Sequence, residues 1–409
     1  MANNRNRLGV FLKEIREMYL PHDGESLPYI GLEHIIPDAL ALNGVGDSAS
    51  TVSTKKIFKH GDILFGTLRP YFRKVIKAKF NGVCSTDIAV LRAFADDDTD
   101  YFLYFIADTR FIEFASNQSN GTRMPRTNWK ILAKSKWDIP DAKTRKAIGI
   151  ILSAYDDLIE NNTRRIKILE EMAQRIYREW FVHFRYPGHE NQKLVESELG
   201  MIPEGWEIHT TEDVMSVTGG GTPSTTNTDY WENGDINWYT PSDLTKSNAM
   251  FSLESEHRIT EEGLKKSSAK LFPAFSVMLT SRATIGIVAI NTTQACTNQG
   301  FITCIPSDSF STYQIYFWML ENVEMFKTLA TGSTFKELIK SVFKKFLIAV
   351  PHPQIAMIFN ETINPLALEI LSLQKKQVLL KRTRDLLLPK LISGQIDVSD
   401  LNIDTEEVA

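Results

Sequence analysis

Displaced by about 211 residues, the 409-residue chain superposes on itself. Ile139-Pro140 falls on Val350-Pro351, and the helical pattern after each continues without a gap. Gly121-Thr122 falls on Gly332-Ser333, Cys84-Ser85-Thr86-Asp87 on Cys296-Thr297-Asn298-Gln299 with one residue of drift, and Arg69 on Arg282 with two. Self-similarity at so long a period means a duplicated domain, and loop-length changes explain the drift. Each half reads as a strand-rich mixed domain followed by a long helix. The expected fold class is α+β: two similar domains and two long helices in a pseudo-twofold tandem repeat.

The helices carry the clearest periodicity. Spacings of four and three alternate through Ile148, Leu152, Tyr155, Ile159, Asn162, Ile166, Leu169, Ala173, Ile176 and Trp180. The matching positions downstream are Phe359, Ile363, Leu366, Ile370, Leu373, Gln377, Leu380, Arg384, Leu387 and Leu391. A 3.5-residue period sustained this long is a coiled-coil seam, in which an occasional polar residue (Asn162, Gln377, Arg384) fixes register at some loss of stability. Two matched seams are best buried against each other. Pro365 predicts that the second helix starts or kinks there.

Shorter signals fill in the rest. Strand-type runs occur at 62–68, 83–91, 277–280, 286–290 and 300–304, with helical stretches near 101–115 and 313–328. The expected divisions are residues 1–140, a helical spacer at 141–187, a second domain at 188–352, a second spacer at 353–397 and an acidic tail at 398–409.

Most chemistry is missing from the sequence. No run of 18 apolar residues marks a membrane span, and the polar start Met1-Ala2-Asn3-Asn4-Arg5 lacks a signal-peptide core. Three cysteines do not make a disulfide framework, which points to a reducing cytoplasm. There is no Walker A pattern, no histidine or cysteine spacing for zinc, and no Asn-Pro-Pro-aromatic motif of an adenine methyltransferase. Gly219-Gly220-Gly221-Thr222-Pro223 has no lysine partner and reads as a tight turn. Asp141, at the start of a helix, reads as a charge favouring the helix dipole. The chain reads as a binder with no catalytic residue, metal or cofactor of its own.

What it binds is suggested by two basic stripes. The net charge is only −4, and residues 188–352 carry seven more acids than bases, so nucleic-acid affinity has to be local. Arg69, Arg73, Lys74, Lys77 and Lys79 surround Tyr71 and Phe72, with no acid between Asp62 and Asp87. Arg123, Arg126, Lys130, Lys134 and Lys136 accompany Trp129, with Asn117, Gln118, Asn120 and Asn128 in or beside them. Lys336, Lys340, Lys344 and Lys345 occupy the equivalent region of the second half, after Thr331, Ser333 and Thr334. Such groups neutralise phosphates, and Arg, Asn and Gln also pair with base edges. Candidate DNA contacts are Arg69, Arg73, Lys74, Lys77, Arg123, Arg126, Asn128 and Lys130, with Arg282, Asn298, Gln299 and Lys336 in the second domain.

Taken together, ordered segments give the chain a family likeness. They are Gly61-Asp62-Ile63-Leu64-Phe65 with Leu68-Arg69-Pro70-Tyr71, Cys84-Ser85-Thr86-Asp87, Ile202-Pro203-Glu204-Gly205-Trp206 and Gly220-Gly221-Thr222-Pro223-Ser224. Trp238-Tyr239-Thr240-Pro241-Ser242-Asp243-Leu244, Ser281-Arg282-Ala283-Thr284-Ile285-Gly286, Thr297-Asn298-Gln299-Gly300-Phe301 and Leu388-Pro389-Lys390-Leu391-Ile392-Ser393-Gly394 continue the series. Over nearly its whole length the chain resembles the specificity subunit of type I restriction–modification systems.

The resemblance implies two target recognition domains, each reading half of a bipartite, asymmetric sequence in double-stranded DNA. It implies antiparallel helical spacers that set the half-site distance and dock two methyltransferase subunits, which restriction subunits then join. S-adenosylmethionine, ATP and Mg would reside on those partners, and no membrane is involved. About 22 helical residues between Ile166 and Pro187 would span ~33 Å, close to one turn of B-DNA. One departure is the segment Phe272-Pro273-Ala274-Phe275-Ser276, which stands where the first half has a Gly-Asp turn, so the approach to that strand is expected to differ. The competing reading is a coiled-coil protein-interaction adaptor without DNA specificity.

Overall fold

The computed structural model describes residues 5–22, 26–332 and 336–401; Ser333, Thr334 and tail residues 402–409 lie outside it. The chain forms two compact units, Met1–Glu160 with Val378–Ala409 and Asn161–Gln377. The expected boundaries at 140 and 187 flank the central helix, whereas the division into units falls inside both long helices.

In the first unit a four-stranded antiparallel sheet runs Leu12–Ile15, Ile88–Ala93, Ile63–Gly66, Val75–Lys77. Its two central strands, Ile63–Gly66 and Ile88–Ala93, read as near-continuous apolar runs because both faces are covered. Ile63, Phe65, Ala89 and Leu91 enter a core shared with helices Thr99–Ala107 and Thr109–Asn117, while Leu64, Ile88 and Val90 enter a second core with Ile30 and Phe58. The two-residue alternation of strands thus appears as two cores on opposite faces of one sheet. The second core is closed by a five-stranded sheet in which Pro28–Ile30 runs parallel to Gly82–Cys84.

The second unit repeats this topology. Its sheet runs Ser216–Gly219, Phe301–Ile305, Val277–Thr280, Val288–Asn291, with Phe251–Ser252 added at the edge. Val277, Leu279, Ile302 and Cys304 face one core; Met278, Ala289 and Phe301 face the other. A parallel pairing recurs between Ile236–Tyr239 and Ala295–Thr297.

The expected helix at 101–115 is two helices, because Asp108 turns the chain and its carboxylate accepts from Arg110 N at 3.0 Å to cap the second. The one at 313–328 likewise divides into Thr312–Glu321 and Val323–Leu329.

The central helix covers Ala142–Tyr177 and ends in a π-helical turn, Arg178–Val182, short of Pro187. Asp141 Oδ1 accepts from Thr144 N at 2.9 Å, capping its first turn. The C-terminal helix, Pro353–Ile392, opens on a proline, where a missing N–H costs nothing. It neither starts nor breaks at Pro365. Ile363, Ala367 and Ile370 are fully buried around that point, and packing outweighs one lost backbone bond.

Within each unit the two helices pair in opposite directions. In the first, Asp156 meets Arg384, and Lys143 Nζ donates to Ser399 O at 3.1 Å. In the second, Thr163 bonds Gln377, Arg165 lies 2.7 Å from Glu369, and Tyr177 contacts Phe359. Ile166, Ile370 and Leu373 are buried, and Ile159, Leu169, Ile176, Leu380 and Leu387 are half-buried. Among the described residues no helix is long and apolar enough to cross a membrane.

Candidate nucleic-acid interface

Two segments some fifty residues apart join to make one surface of the first unit. Arg69 N donates to Pro125 O at 2.8 Å and Thr127 N to Thr67 O at 3.0 Å, while Asn120 and Arg126 exchange both backbone bonds. Pro70 starts a single 3-10 turn, Pro70–Phe72, and the arginines on either side adopt left-handed backbone with φ of 50° and 49°. For residues with a Cβ this conformation costs ~1–2 kcal/mol each. Such strain is held only where the surroundings enforce it, and it gathers at functional sites.

The basic residues divide by what already engages them. Arg73 donates to Ala107 O at 2.9 Å and lies 2.9 Å from Asp38. Lys74 bonds the Leu32 carbonyl, Lys77 pairs with Asp100, and Lys79 pairs with Glu160. The Asn128 amide oxygen accepts from Lys130 N at 2.9 Å and caps the turn Trp129–Leu132. Arg69 reaches the Arg123 carbonyl at 3.3 Å. Arg126 forms two bonds to Asp87, at 2.9 and 3.4 Å, and that hydrogen bonding, with the carboxylate charge, pushes its guanidinium pKa up. Arg123 and Lys130 are exposed and make no ion pair among the described residues.

The second unit builds the same framework with different side chains. Ala283 N donates to Lys336 O at 3.1 Å, Leu338 N to Ser281 O at 2.8 Å, and Thr331 and Glu337 exchange backbone bonds. These bonds match Arg69 with Ala283, which also has positive φ (61°), so Arg282 corresponds to Leu68. The sequence superposition of Arg69 on Arg282 is therefore one residue out. Asp87 likewise corresponds to Gly300, because Thr67 N bonds Asp87 O just as Ser281 N bonds Gly300 O. Gln299 is not its counterpart.

Arg282 is exposed with its Nε 3.9 Å from Glu337, and Lys336 is exposed. Asn298 Oδ1 accepts from Gly300 N at 2.9 Å, and Gln299 Oε1 accepts from Thr222 Oγ1 at 2.7 Å.

Two sequence expectations are corrected here. Phe275 takes the left-handed backbone of Gly61 (φ 62° and 86°), and each donates to the partner strand, Phe275 N to Asn291 O and Gly61 N to Ala78 O. The chain therefore approaches both strands alike, despite the loss of the Gly-Asp turn. Gly220 and Gly221 do not form a tight turn. A Cβ on Gly220 would stand 2.1 Å from Thr297 O and one on Gly221 2.3 Å from Ser268 Oγ, so these glycines permit close backbone approach.

A second surface lies on the helices. Leu158, Leu379 and Leu386 in the first unit, and Ile168, Met172, Met357 and Leu368 in the second, are about half exposed or more. The seam pattern did not single them out, although their recurrence on outward positions could have done so.

Residues 20–171 and 203–380 match the family described as the type I restriction modification DNA specificity domain. A relative from Methanocaldococcus jannaschii, the type I restriction enzyme MjaIX specificity subunit, is 40% identical over 177 residues, covering 43% of this chain and 40% of the relative. The HindI specificity subunit of Haemophilus influenzae is 25% identical over 407 residues, 84% of this chain and 88% of the relative. The crystal structure of an S subunit from M. genitalium superposes with a TM-score of 0.60 at 15% identity, over 96% of this chain and 97% of that one.

Proposed function

The chain belongs to the type I restriction modification DNA specificity family, matching it twice, and from that premise we propose that it is the non-catalytic, sequence-specific DNA-binding subunit of a type I restriction–modification complex. Each unit reads one half of a bipartite, asymmetric target in double-stranded DNA. The observation that carries this reading is the surface made of loops 67–73 and 120–127, with Arg123 and Arg126 exposed on it and Lys130 exposed on the turn that follows. In the second unit the same backbone bonds present Arg282, Lys336 and Glu337 instead. One scaffold with unlike side chains suits two readers of unlike half-sites.

The outward apolar rows of the helices support docking of two methyltransferase subunits, one per row, with restriction subunits joining afterwards. Adenine methylation and ATP-driven cleavage then belong to those partners, together with S-adenosylmethionine, ATP and Mg. The place of action is the cytoplasm.

Adenine-methylation mapping of genomic DNA with and without the gene tests the reading. A bipartite motif that loses its methylation in the deletion strain is expected; identical maps would overturn it. In the reconstituted complex, joint alanine substitution of Arg123, Arg126 and Lys130 should weaken binding to target and non-target DNA alike.

A further inference from the structure

Tyr71 and Phe72 are 50% and 41% exposed, with ring centroids 4.8 Å apart. Many large rings of the first unit are buried: Phe58, Phe65, Tyr101, Phe102, Tyr104 and Phe111 are all under 2% exposed, whereas Phe94, 61% exposed, lies under the Lys13 ammonium. An adjacent aromatic pair left in water is the kind of apolar surface that calls for a partner.

The pair is also held rigidly. Pro70 is buried, Phe72 N donates to Arg69 O at 3.0 Å, and Arg73 N donates to Pro70 O at 2.8 Å. Left-handed residues bracket the turn, and both bracketing guanidiniums reach back to backbone carbonyls, Arg123 O and Ala107 O. The usual arrangement is inverted here: the arginines are tied down and the rings stand out.

We propose that Tyr71 and Phe72 form a wedge that enters the base stack of duplex DNA at the half-site met by the first unit. This rests on the DNA-binding reading above and adds a mode of contact to it. Apolar side chains inserted at a base step unstack it and kink the duplex, and aromatic rings stack on any base.

Charge selects DNA as the occupant. The adjoining loop, tied to Arg69 through the Arg123 and Pro125 carbonyls, carries exposed Arg123, Met124 and Arg126, and the carboxylates Asp38 and Asp87 are paired with Arg73 and Arg126. A rigid, strained mount suits a wedge, because a mobile loop would fold back before prying bases apart.

The feature is one-sided. Between its left-handed ends, Ala283 and Gly286, the second unit has only Thr284 and Ile285 where the first has Pro70, Tyr71 and Phe72 between Arg69 and Arg73, and Ile285 packs against its own core. The kink therefore lies off-centre in the target.

The test uses the full chain reconstituted with its methyltransferase partners and a duplex bearing the mapped target. 2-Aminopurine is placed in turn at each position of both half-sites except the methylated adenines, and fluorescence is read at saturating protein. Wild type should raise the signal several-fold at one step of one half-site only. Tyr71→Ala with Phe72→Ala should abolish that rise and reduce the bend measured by end-to-end energy transfer, with an unchanged melting temperature. Phe72→Leu, which keeps an apolar wedge, should retain most of the rise. Arg123→Ala should weaken binding to every duplex yet leave the rise intact at saturation.

A wild-type complex that binds without site-specific unstacking would overturn the wedge while leaving the DNA-binding reading standing. So would a double variant whose only defect is failure to assemble with its partners, since that would mark a protein contact. A wild-type complex that binds no duplex would sink the DNA-binding reading itself.

Discussion

Asp156 on the central helix meets Arg384 on the C-terminal helix, where the guanidinium is only 5% exposed, and the Tyr104 hydroxyl donates to the second carboxylate oxygen at 2.7 Å. The 211-residue repeat places Ala367 and Ala173 at the positions of Asp156 and Arg384 in the second unit, and both are buried. One copy of the junction is charged; the other is apolar.

Arg384 also pairs with Asp385 on its own helix at 2.8 Å, so removing Asp156 takes away one of its two partners. Asp156→Ala should cost about 1.5–3 kcal/mol, read as a lower midpoint in urea unfolding. Adding Arg384→Met, which removes the half-paired charge and keeps volume, should restore most of it. A single variant as stable as wild type would show that the pair is solvated and unimportant.

Asp87 offsets the charge of Arg126 on the proposed DNA surface. Asp87→Asn should release that guanidinium to bind phosphate, tightening non-specific binding at low salt. The slope of log K against log salt should steepen by about 0.9, the value for one further phosphate neutralised. An unchanged slope in a titration series would place Arg126 away from the DNA.

Phe275 occupies a left-handed position that Gly61 fills in the other unit. Gly61→Ala, whose added Cβ meets nothing within 4 Å, should cost ~1 kcal/mol through backbone strain alone. At Phe275, Gly relieves the strain that Ala retains, so Phe275→Gly should be the more stable of the two by up to about 1 kcal/mol, both having lost the same ring. Thermal unfolding of the three variants provides the check, and a Phe275→Ala as stable as Phe275→Gly would contradict it.

Asp141 accepts from Thr144 N, and this bond holds its carboxyl below the ordinary value of 3.8. A carboxylate with a lowered folded pKa adds stability above its unfolded value and loses it as pH falls through the folded one. Asp141→Asn keeps an N-cap acceptor but no charge. Wild type should be the more stable at neutral pH, with the difference closing as pH drops below 3.8. A gap that stays constant down to pH of about 2 would mean the charge has no part in it.

The duplication and both helical seams were legible because they rest on period: every position of the 4-3 pattern from Ile148 to Trp180 is buried or half-buried. Pro365 misled because a local rule about backbone bonds does not include the burial of Ile363, Ala367 and Ile370. The basic stripes were legible as composition but not as individual contacts. Which lysine is engaged depends on where Asp100, Glu160 and the Leu32 carbonyl come to lie, and sequence spacing does not carry that information. Arg69 and Arg282 were matched by residue type, whereas the backbone pairs Arg69 with Ala283, since left-handed φ is invisible when no glycine marks it. The aromatic pair at Tyr71 and Phe72 stood within the first stripe, but only burial shows that the rings face outward.

The unlike junctions also determine which halves of this chain can mate. A fragment ending near Pro187, paired with its own twin, would set Asp156 opposite Ala173 on both sides; two copies of the other fragment would set Arg384 opposite Ala367. Self-pairing would leave Asp156 without a cation, or Arg384 with Asp385 alone, and only the cross-pairing joins the two charges across the helices. A nick in the join between the halves should therefore leave two pieces that prefer each other to their own twins, so that the chain's asymmetry outlasts its covalent continuity.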